Sequence, residues 1–245
     1  MYNGRLTLFQ PKSGYRFSVD APLLADFVRV GPGRTVVDLG TGVGVIALTL
    51  ARRMGQGRVL AVEVQRRLAE CAAMNVAENP GGARVEVLNM DWSGLNQEVL
   101  GGRADIVVCN PPYRGLGTGR VSPDQEEAVA RHEIRGSLLS AAQTALRVLT
   151  PGGSLAVIYP ASRLTGLMTS LRAAGLEPKR LRLVHSRPGE KAVLVLVEAW
   201  AGGGEELEVA PPFYIYHLGE DYSAETEAIL SGKRLDEKEE RPGSF

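Results

Sequence analysis

Apolar positions along this chain follow two rhythms. Short unbroken runs, as in "TVVDL", "RVLAVEV", "ADIVVC" and "SLAVIY", have the length and β-branched content of strands covered on both faces. Between them, apolar residues return every three or four positions, as on a helix. "DAPLLADFVRVGPG" predicts a helix with Asp20 as N-cap and Pro22 in the first turn. Leu23, Leu24, Phe27 and Val28 form its apolar face, and Gly31-Pro32 stops it. A strand through Leu39 follows, then a glycine turn and a helix from about Val43. A second strand ends at Glu63, residues 66–78 form a helix closed by Asn79-Pro80, and "ARVEVLNMDW" and "ADIVVCN" make strands three and four. Residues 133–149 predict a helix ending at "TPGG", "SLAVIYP" a fifth strand, and 162–174 a helix ending at Gly175. "KRLRLVHSRPGEKAVLVLVEAW" reads as two strands joined by Pro-Gly, a hairpin.

Strands alternating with helices predict a doubly wound, mostly parallel α/β sheet of seven strands, Rossmann-like, with the late hairpin adding one antiparallel strand at an edge. Three regions are expected. Residues 1–34 lend a segment and a helix to the pocket, 35–200 form the core, and 201–245 are an extension whose charged tail is disordered. The segment 114–131 is glycine-rich, then acidic, and has no period.

Charge narrows the functional classes. Lys and Arg total 28, as do Asp and Glu, so any nucleic-acid binding has to come from a local patch. Cys71 and Cys109 sit in apolar patterns without CxxC spacing, which predicts reduced core thiols and a cytoplasmic chain. His132, His185 and His217 lack ligand spacing, so no metal is expected. No apolar run approaches the length of a membrane span, and no signal peptide is evident.

The stretch "VVDLGTGVG" invites comparison with the dinucleotide fingerprint, but Gly40, Gly42 and Gly44 give G-x-G-x-G spacing. Asp38, two residues before the first glycine, would repel a pyrophosphate docked there. A phosphate-free cofactor with a cationic amino-acid end would be welcomed, which points to S-adenosyl-L-methionine. Glu63 ends the second strand about 20 residues on, where an acid can take two ribose hydroxyls. Asp91, ending the third strand, is placed to accept from an adenine amino group; alone, each acid reads equally as a helix cap. Trp92 flanks the adenine or closes the core edge. These residues together resemble the class I S-adenosylmethionine-dependent methyltransferases over roughly residues 10–200. The resemblance implies that Asp38 acts near the methionine end, Glu63 on the ribose and Asp91 on the adenine.

The fourth strand runs into Asn110-Pro111-Pro112-Tyr113. Two prolines forbid continuation as strand or helix, and open α/β sheets bind ligands just beyond such strand ends. Asn-Pro-Pro-Tyr resembles the motif of methyltransferases acting on planar amino or amide nitrogens. In that resemblance Asn110 and the Pro111 carbonyl accept the two N–H groups, stabilising charge as the lone pair localises. Pro112 stiffens the turn, Tyr113 stacks on the base, and Asn110 also borders the cofactor.

The segments "FQPKSGYRFSVDAPLLADFV" and "PPFYIYHLGEDYSAETEAIL" resemble the bacterial N6-adenine methyltransferases that modify the adenine next to the anticodon of a valine tRNA. That resemblance implies a tRNA substrate, with N6 of an anticodon-loop adenine as the acceptor. Phe17 and Asp20 would close over the site, or serve only as staple and cap. Arg180 and Arg182, alternating on one strand within the basic segment 172–191, would dock RNA, or merely charge an edge strand. Two alternatives stay open: a glutamine N5-methyltransferase acting on a release factor, and a non-catalytic S-adenosylmethionine-binding subunit. The glutamine enzymes carry a helical domain for which the roughly 35 residues before the glycine loop leave little room. A nicotinamide oxidoreductase is disfavoured by Asp38.

Overall fold

The computed structural model describes residues 6–11, 18–111 and 138–232. Phe17, Pro112, Tyr113, the segment 114–131 and the tail 233–245 lie outside the described residues. Helix α1 (Asp20–Phe27) precedes the regular alternation β1 (Arg34–Leu39), α2 (Val45–Met54), β2 (Gly57–Glu63), α3 (Arg66–Glu78) and β3 (Val85–Asn89). A one-turn helix, α4 (Gln97–Leu100), leads to β4 (Ala104–Cys109). Helix α5, described over 138–148, leads to β5 (Leu149–Pro160) and α6 (Leu164–Ala173). Strands β6 (Leu176–His185) and β7 (Ala192–Ala201) follow, then β8 (Glu208–Val209), β9 (Phe213–Tyr214) and α7 (Ala224–Ser231).

One sheet holds all the strands in the order β3-β2-β1-β4-β5-β7-β6-β8, with β9 also on β6. Strands β1 to β5 are mutually parallel where they pair, and β7 is antiparallel to both β5 and β6. The doubly wound class is as expected, but two details differ. Among the described residues the sheet has nine strands, not seven, because β8 and β9 extend the free side of β6. The antiparallel strand is internal, not at an edge. Its run Val195–Ala199 is buried throughout, whereas β6 alternates buried and half-buried positions. The strand able to bury both faces therefore takes the inner place, and the strand carrying Lys179, Arg180 and Arg182 lies outside it.

Side chains alternate between two apolar layers, as the period of a strand requires. Val36, Val59, Ala61, Ile106 and Val108 meet α1 and α2 on one face. Val37, Leu39, Leu60, Val62, Val107 and Cys109 meet α5 and α6 on the other. Three local expectations need correction. Asp20 is the first residue of α1, not its N-cap; Val19 holds the cap position without a side-chain bond. A carboxylate in the first turn is still favoured by the helix dipole. Strand β5 starts at Leu149, ahead of Pro151, because its pairing with β4 skips from Ala104↔Leu149 to Ile106↔Ser154 around a bulge. Cys71 is half-buried, its thiol donating to the Phe9 carbonyl, while Cys109 is fully buried as expected.

A feature that no apolar pattern predicts holds the N-terminal segment. Two asparagines, Asn75 in the last turn of α3 and Asn79 at its C-cap, each grip the backbone of one residue. Asn79 accepts from the Thr7 N–H (2.9 Å) and donates to the Thr7 carbonyl (2.7 Å). Asn75 accepts from the Phe9 N–H (2.7 Å) and donates to the Phe9 carbonyl (3.0 Å). The Asn79 amide also donates to the Asn75 carbonyl at 2.7 Å, and the two side chains meet alternate residues of the segment, Thr7 and Phe9. Asn75 is fully buried and donates further to the Val43 carbonyl, at 2.8 Å. Replacing Asn75 by Ala strands the Phe9 N–H and the Val43 carbonyl, each about 1–3 kcal/mol if left unsatisfied, while the Phe9 carbonyl keeps the Cys71 thiol. The urea midpoint of Asn75→Ala is expected to fall by the equivalent of about 2–3 kcal/mol with m unchanged; an unshifted midpoint would show the grip to be incidental.

Candidate active site

Parallel pairing sets the ends of β1, β2 and β4 side by side, with Leu39 opposite both Val62 and Cys109. The chain leaves β1 at Gly40 and turns through Gly42 and Gly44 into α2. The Gly40 and Thr41 N–H groups both donate to the Val62 carbonyl, at 2.8 and 3.0 Å. Gly44 caps α2 at φ 87°, a left-handed conformation that a side chain would strain. At Gly40 an added Cβ would lie 3.2 Å from the Trp92 ring, so this glycine permits a close approach. No residue from 40 to 48 is charged, and the loop offers no Lys or Arg to a phosphate.

Two acids flank the loop. Asp38 has no exposed surface; one carboxylate oxygen, Oδ2, accepts from the Thr41 hydroxyl at 2.6 Å. The other, Oδ1, has no partner among the described residues. Burial pushes the Asp38 pKa up to about 7; the Thr41 hydroxyl and the Ala47 N–H offset part of this, and the neighbouring Glu63 carboxylate adds to it. Glu63, almost buried at the end of β2, takes the Gly42 N–H at 2.9 Å on one oxygen and the Gln65 N–H at 2.8 Å on the other. Burial raises its pKa too, against those hydrogen bonds. Each Glu63 oxygen keeps a second lone pair for a hydroxyl donor.

Asp91 lies two residues beyond β3 and caps the short turn Trp92–Gly94, accepting from the Ser93 N–H at 2.8 Å. That bond lowers its pKa. The capping role is thus realised, and the carboxylate keeps further acceptor capacity. Trp92 is half-buried beside Gly40, and its indole N–H donates to the Ser140 hydroxyl at 3.3 Å. It closes the core edge next to the loop. Asn110, half-buried, and Pro111, buried, follow β4 directly, one strand from the glycine turn.

The proposed docking arginines do not stand free. Arg180 pairs with Glu198 at 2.9 Å, both side chains nearly buried, donates to the Phe27 carbonyl at 2.6 Å and lies 3.8 Å from the centre of the Phe27 ring. Arg182 makes a two-pronged pair with Glu225 at 2.7 and 3.0 Å, and its guanidinium lies over Phe213. Both side chains face α1 and α7, which pack on that side of β6, so they tie the sheet edge together rather than present charge to a ligand. Sequence reasoning also missed Thr41, which donates to Asp38, and Asn75, which holds the loop carbonyl of Val43. The Asp38-to-Thr41 spacing across a glycine turn was the available signal for Thr41.

An unpaired buried acceptor, a second acid at the neighbouring strand end and an uncharged glycine turn fit a cofactor with an ammonium and a diol but no phosphate. The fold and this site define a class I S-adenosylmethionine-dependent methyltransferase. Comparison with known proteins agrees. The family model "Methyltransferase small domain" matches residues 15–168, and the chain belongs to that family. A Porphyromonas gingivalis protein named tRNA1(Val) (adenine(37)-N6)-methyltransferase is 32% identical over 213 residues, 84% of this chain and 82% of its own length. A Bacteroides fragilis protein of the same name is 29% identical, covering 76% of this chain and 77% of its own. Among solved structures, one described as a predicted O-methyltransferase from Agrobacterium tumefaciens superposes with a TM-score of 0.70 at 24% identity, over 87% of this chain and 96% of that one. At that identity the likeness speaks for the fold.

The Asp38 geometry gives a pH signature. In the cofactor-free protein the folded state keeps a proton on Asp38 up to about pH 7, whereas the unfolded chain releases it near 4. Stability therefore falls as pH rises through that window. The ammonium of the cofactor prefers the ionised form. Calorimetry is expected to show S-adenosylmethionine binding strengthening from pH 5.5 to 7.5 with proton release, and Asp38→Asn losing that dependence. Glu63→Ala should weaken binding by about 1.5–3 kcal/mol through lost charge-assisted hydrogen bonds; unchanged affinity would remove Glu63 from the site.

Proposed function

We propose that the protein transfers the methyl group of S-adenosylmethionine to N6 of an adenine in the anticodon loop of a tRNA. The reading rests chiefly on Asn110-Pro111 at the end of β4, one strand from the glycine turn of β1. The names of relatives aligned over most of the chain favour the same substrate. Bound S-adenosylmethionine supplies a methyl group on a sulfonium, and the residues present have to orient an acceptor toward it.

An exocyclic adenine nitrogen is a poor nucleophile because its lone pair is shared with the ring. If the Asn110 side-chain oxygen and the Pro111 carbonyl accept its two hydrogens, electron density localises on nitrogen and the developing positive charge is stabilised. Pro111 holds its carbonyl on a backbone whose φ cannot vary, so the acceptors are fixed before the substrate arrives. No strong base is required, since the alkylated nitrogen sheds its proton readily. The stacking role expected of Tyr113 and the stiffening expected of Pro112 rest on sequence, as both lie outside the described residues. An anticodon-loop base is already partly unstacked, so placing it in a pocket costs less than extracting it from a duplex.

Incubation with labelled S-adenosylmethionine and unmodified total tRNA, then nucleoside analysis, should yield N6-methyladenosine. Asn110→Ala should reduce turnover by at least a hundredfold with cofactor affinity nearly unchanged. Label appearing in a release-factor glutamine, with tRNA untouched, would overturn the substrate while leaving the nitrogen chemistry in place.

A further inference from the structure

We propose that the aromatic tongue at residues 214–222 is a stacking surface for unpaired bases of the RNA substrate; the inference rests on the tRNA reading above. The tongue is an ordered element of unusual composition. Its chain turns back on itself between Tyr216 and Tyr222, which form an isolated antiparallel bridge, with the His217 N–H donating to the Asp221 carbonyl at 3.0 Å. The two tyrosine rings stack with centroids 5.3 Å apart and planes 10° from parallel. The Arg187 guanidinium lies 5.1 Å from the centre of the Tyr216 ring and donates to the Gly219 carbonyl at 2.8 Å. His185 and Tyr214 form a second ring pair at the base.

The base of the tongue is fixed from both sides. Ile215 and Tyr216 donate backbone N–H groups to the His185 and Ser186 carbonyls. Ser223, the N-cap of α7, donates its hydroxyl to the Tyr214 carbonyl at 2.6 Å and its N–H to the Ile215 carbonyl. Yet Tyr222 is 40% exposed and Leu218 is 87% exposed. A fold that spends this many hydrogen bonds to hold apolar rings in water has prepared a surface for contact, because pre-organisation lowers the entropy lost on binding.

Its position suits the acceptor site. Pairing carries Cys109 to Val157, Val157 to Val197 and Val197 to Leu181, so Leu181 is level with the end of β4. Strand β6 is parallel to β4 and runs four residues further to His185. The tongue therefore rises from the same edge of the sheet as Asn110, roughly 14 Å to the side and roughly 10 Å beyond it by strand geometry. That offset is a few nucleotides of single strand, the reach of a loop whose target base is held at Asn110.

Charge points to stacking rather than phosphate binding. Arg187 and Lys191 are offset by Glu190, Glu220 and Asp221, and Arg187 is itself 3.7 Å from Glu190. Unpaired bases stack on aromatic faces without need of net charge.

The test uses the full-length protein with unmodified tRNA and three variants: Tyr222→Ala, Tyr222→Leu and Tyr222→Phe. The Ala and Leu variants are expected to raise KM for tRNA about tenfold, with kcat, cofactor affinity and melting temperature near those of the unaltered protein. Phe should restore the original KM, which a purely structural role of the hydroxyl would not allow. The salt dependence of tRNA binding should be the same in all four proteins. Unaltered tRNA KM in the Leu variant, or a tenfold rise accompanied by an equal loss of cofactor affinity, would overturn the proposal while methylation of tRNA by the unaltered protein upheld the substrate. Failure of the unaltered protein to methylate tRNA would instead remove the reading on which the proposal rests.

Discussion

A carboxylate removed from water with one oxygen unpartnered is the constraint to which the rest of the site answers. Asp38 lies in the middle of a parallel sheet, between Ala61 and Val108 on the neighbouring strands, where ionisation is opposed by burial. Such a group costs stability on its own, and an ammonium bound beside it would offset that cost. The surrounding bonds fix the turn beside it: Thr41 donates to Oδ2, Glu63 holds the Gly42 N–H, and Asn75 holds the Val43 carbonyl.

The same logic extends outward from the loop. Asn75, in the last turn of α3, and Asn79, at its C-cap, bind the segment through its backbone, leaving the identity of Thr7 and Phe9 largely free. These bonds act together with Leu6, which is buried, and Leu8, which packs against the core. At the opposite margin, Arg180 pairs with Glu198 of β7 in a nearly buried ion pair and reaches α1 through the Phe27 carbonyl, while Arg182 joins β6 to α7 through a half-buried pair with Glu225. Burial makes the Arg180–Glu198 pair expensive to break, by about 3–5 kcal/mol when one partner is removed, whereas solvent screens the Arg182–Glu225 pair. The basic character of this segment is thus largely absorbed in holding the C-terminal extension to the sheet, and aromatic surface rather than free charge is what the extension offers at the carboxyl edge.

The amino-acid sequence by itself determined the strands and helices of the core, because burial on both faces demands unbroken apolar runs and burial on one face demands a helical period. It also determined the cofactor class, since Asp38, the glycine spacing and Glu63 are local statements about charge and backbone freedom. Tertiary structure alone decided which strand of the late hairpin lies inside, because that choice compares the burial of two runs against neighbours far away in the chain. It alone turned Arg180 and Arg182 from apparent docking charges into ties, since Glu198, Glu225 and Phe27 are distant in sequence and adjacent only in space. It also gave Asn75 its purpose and Tyr216 its partners. A polar or aromatic side chain in a helix or loop announces that it can bond or stack; only the packing of remote segments specifies with what.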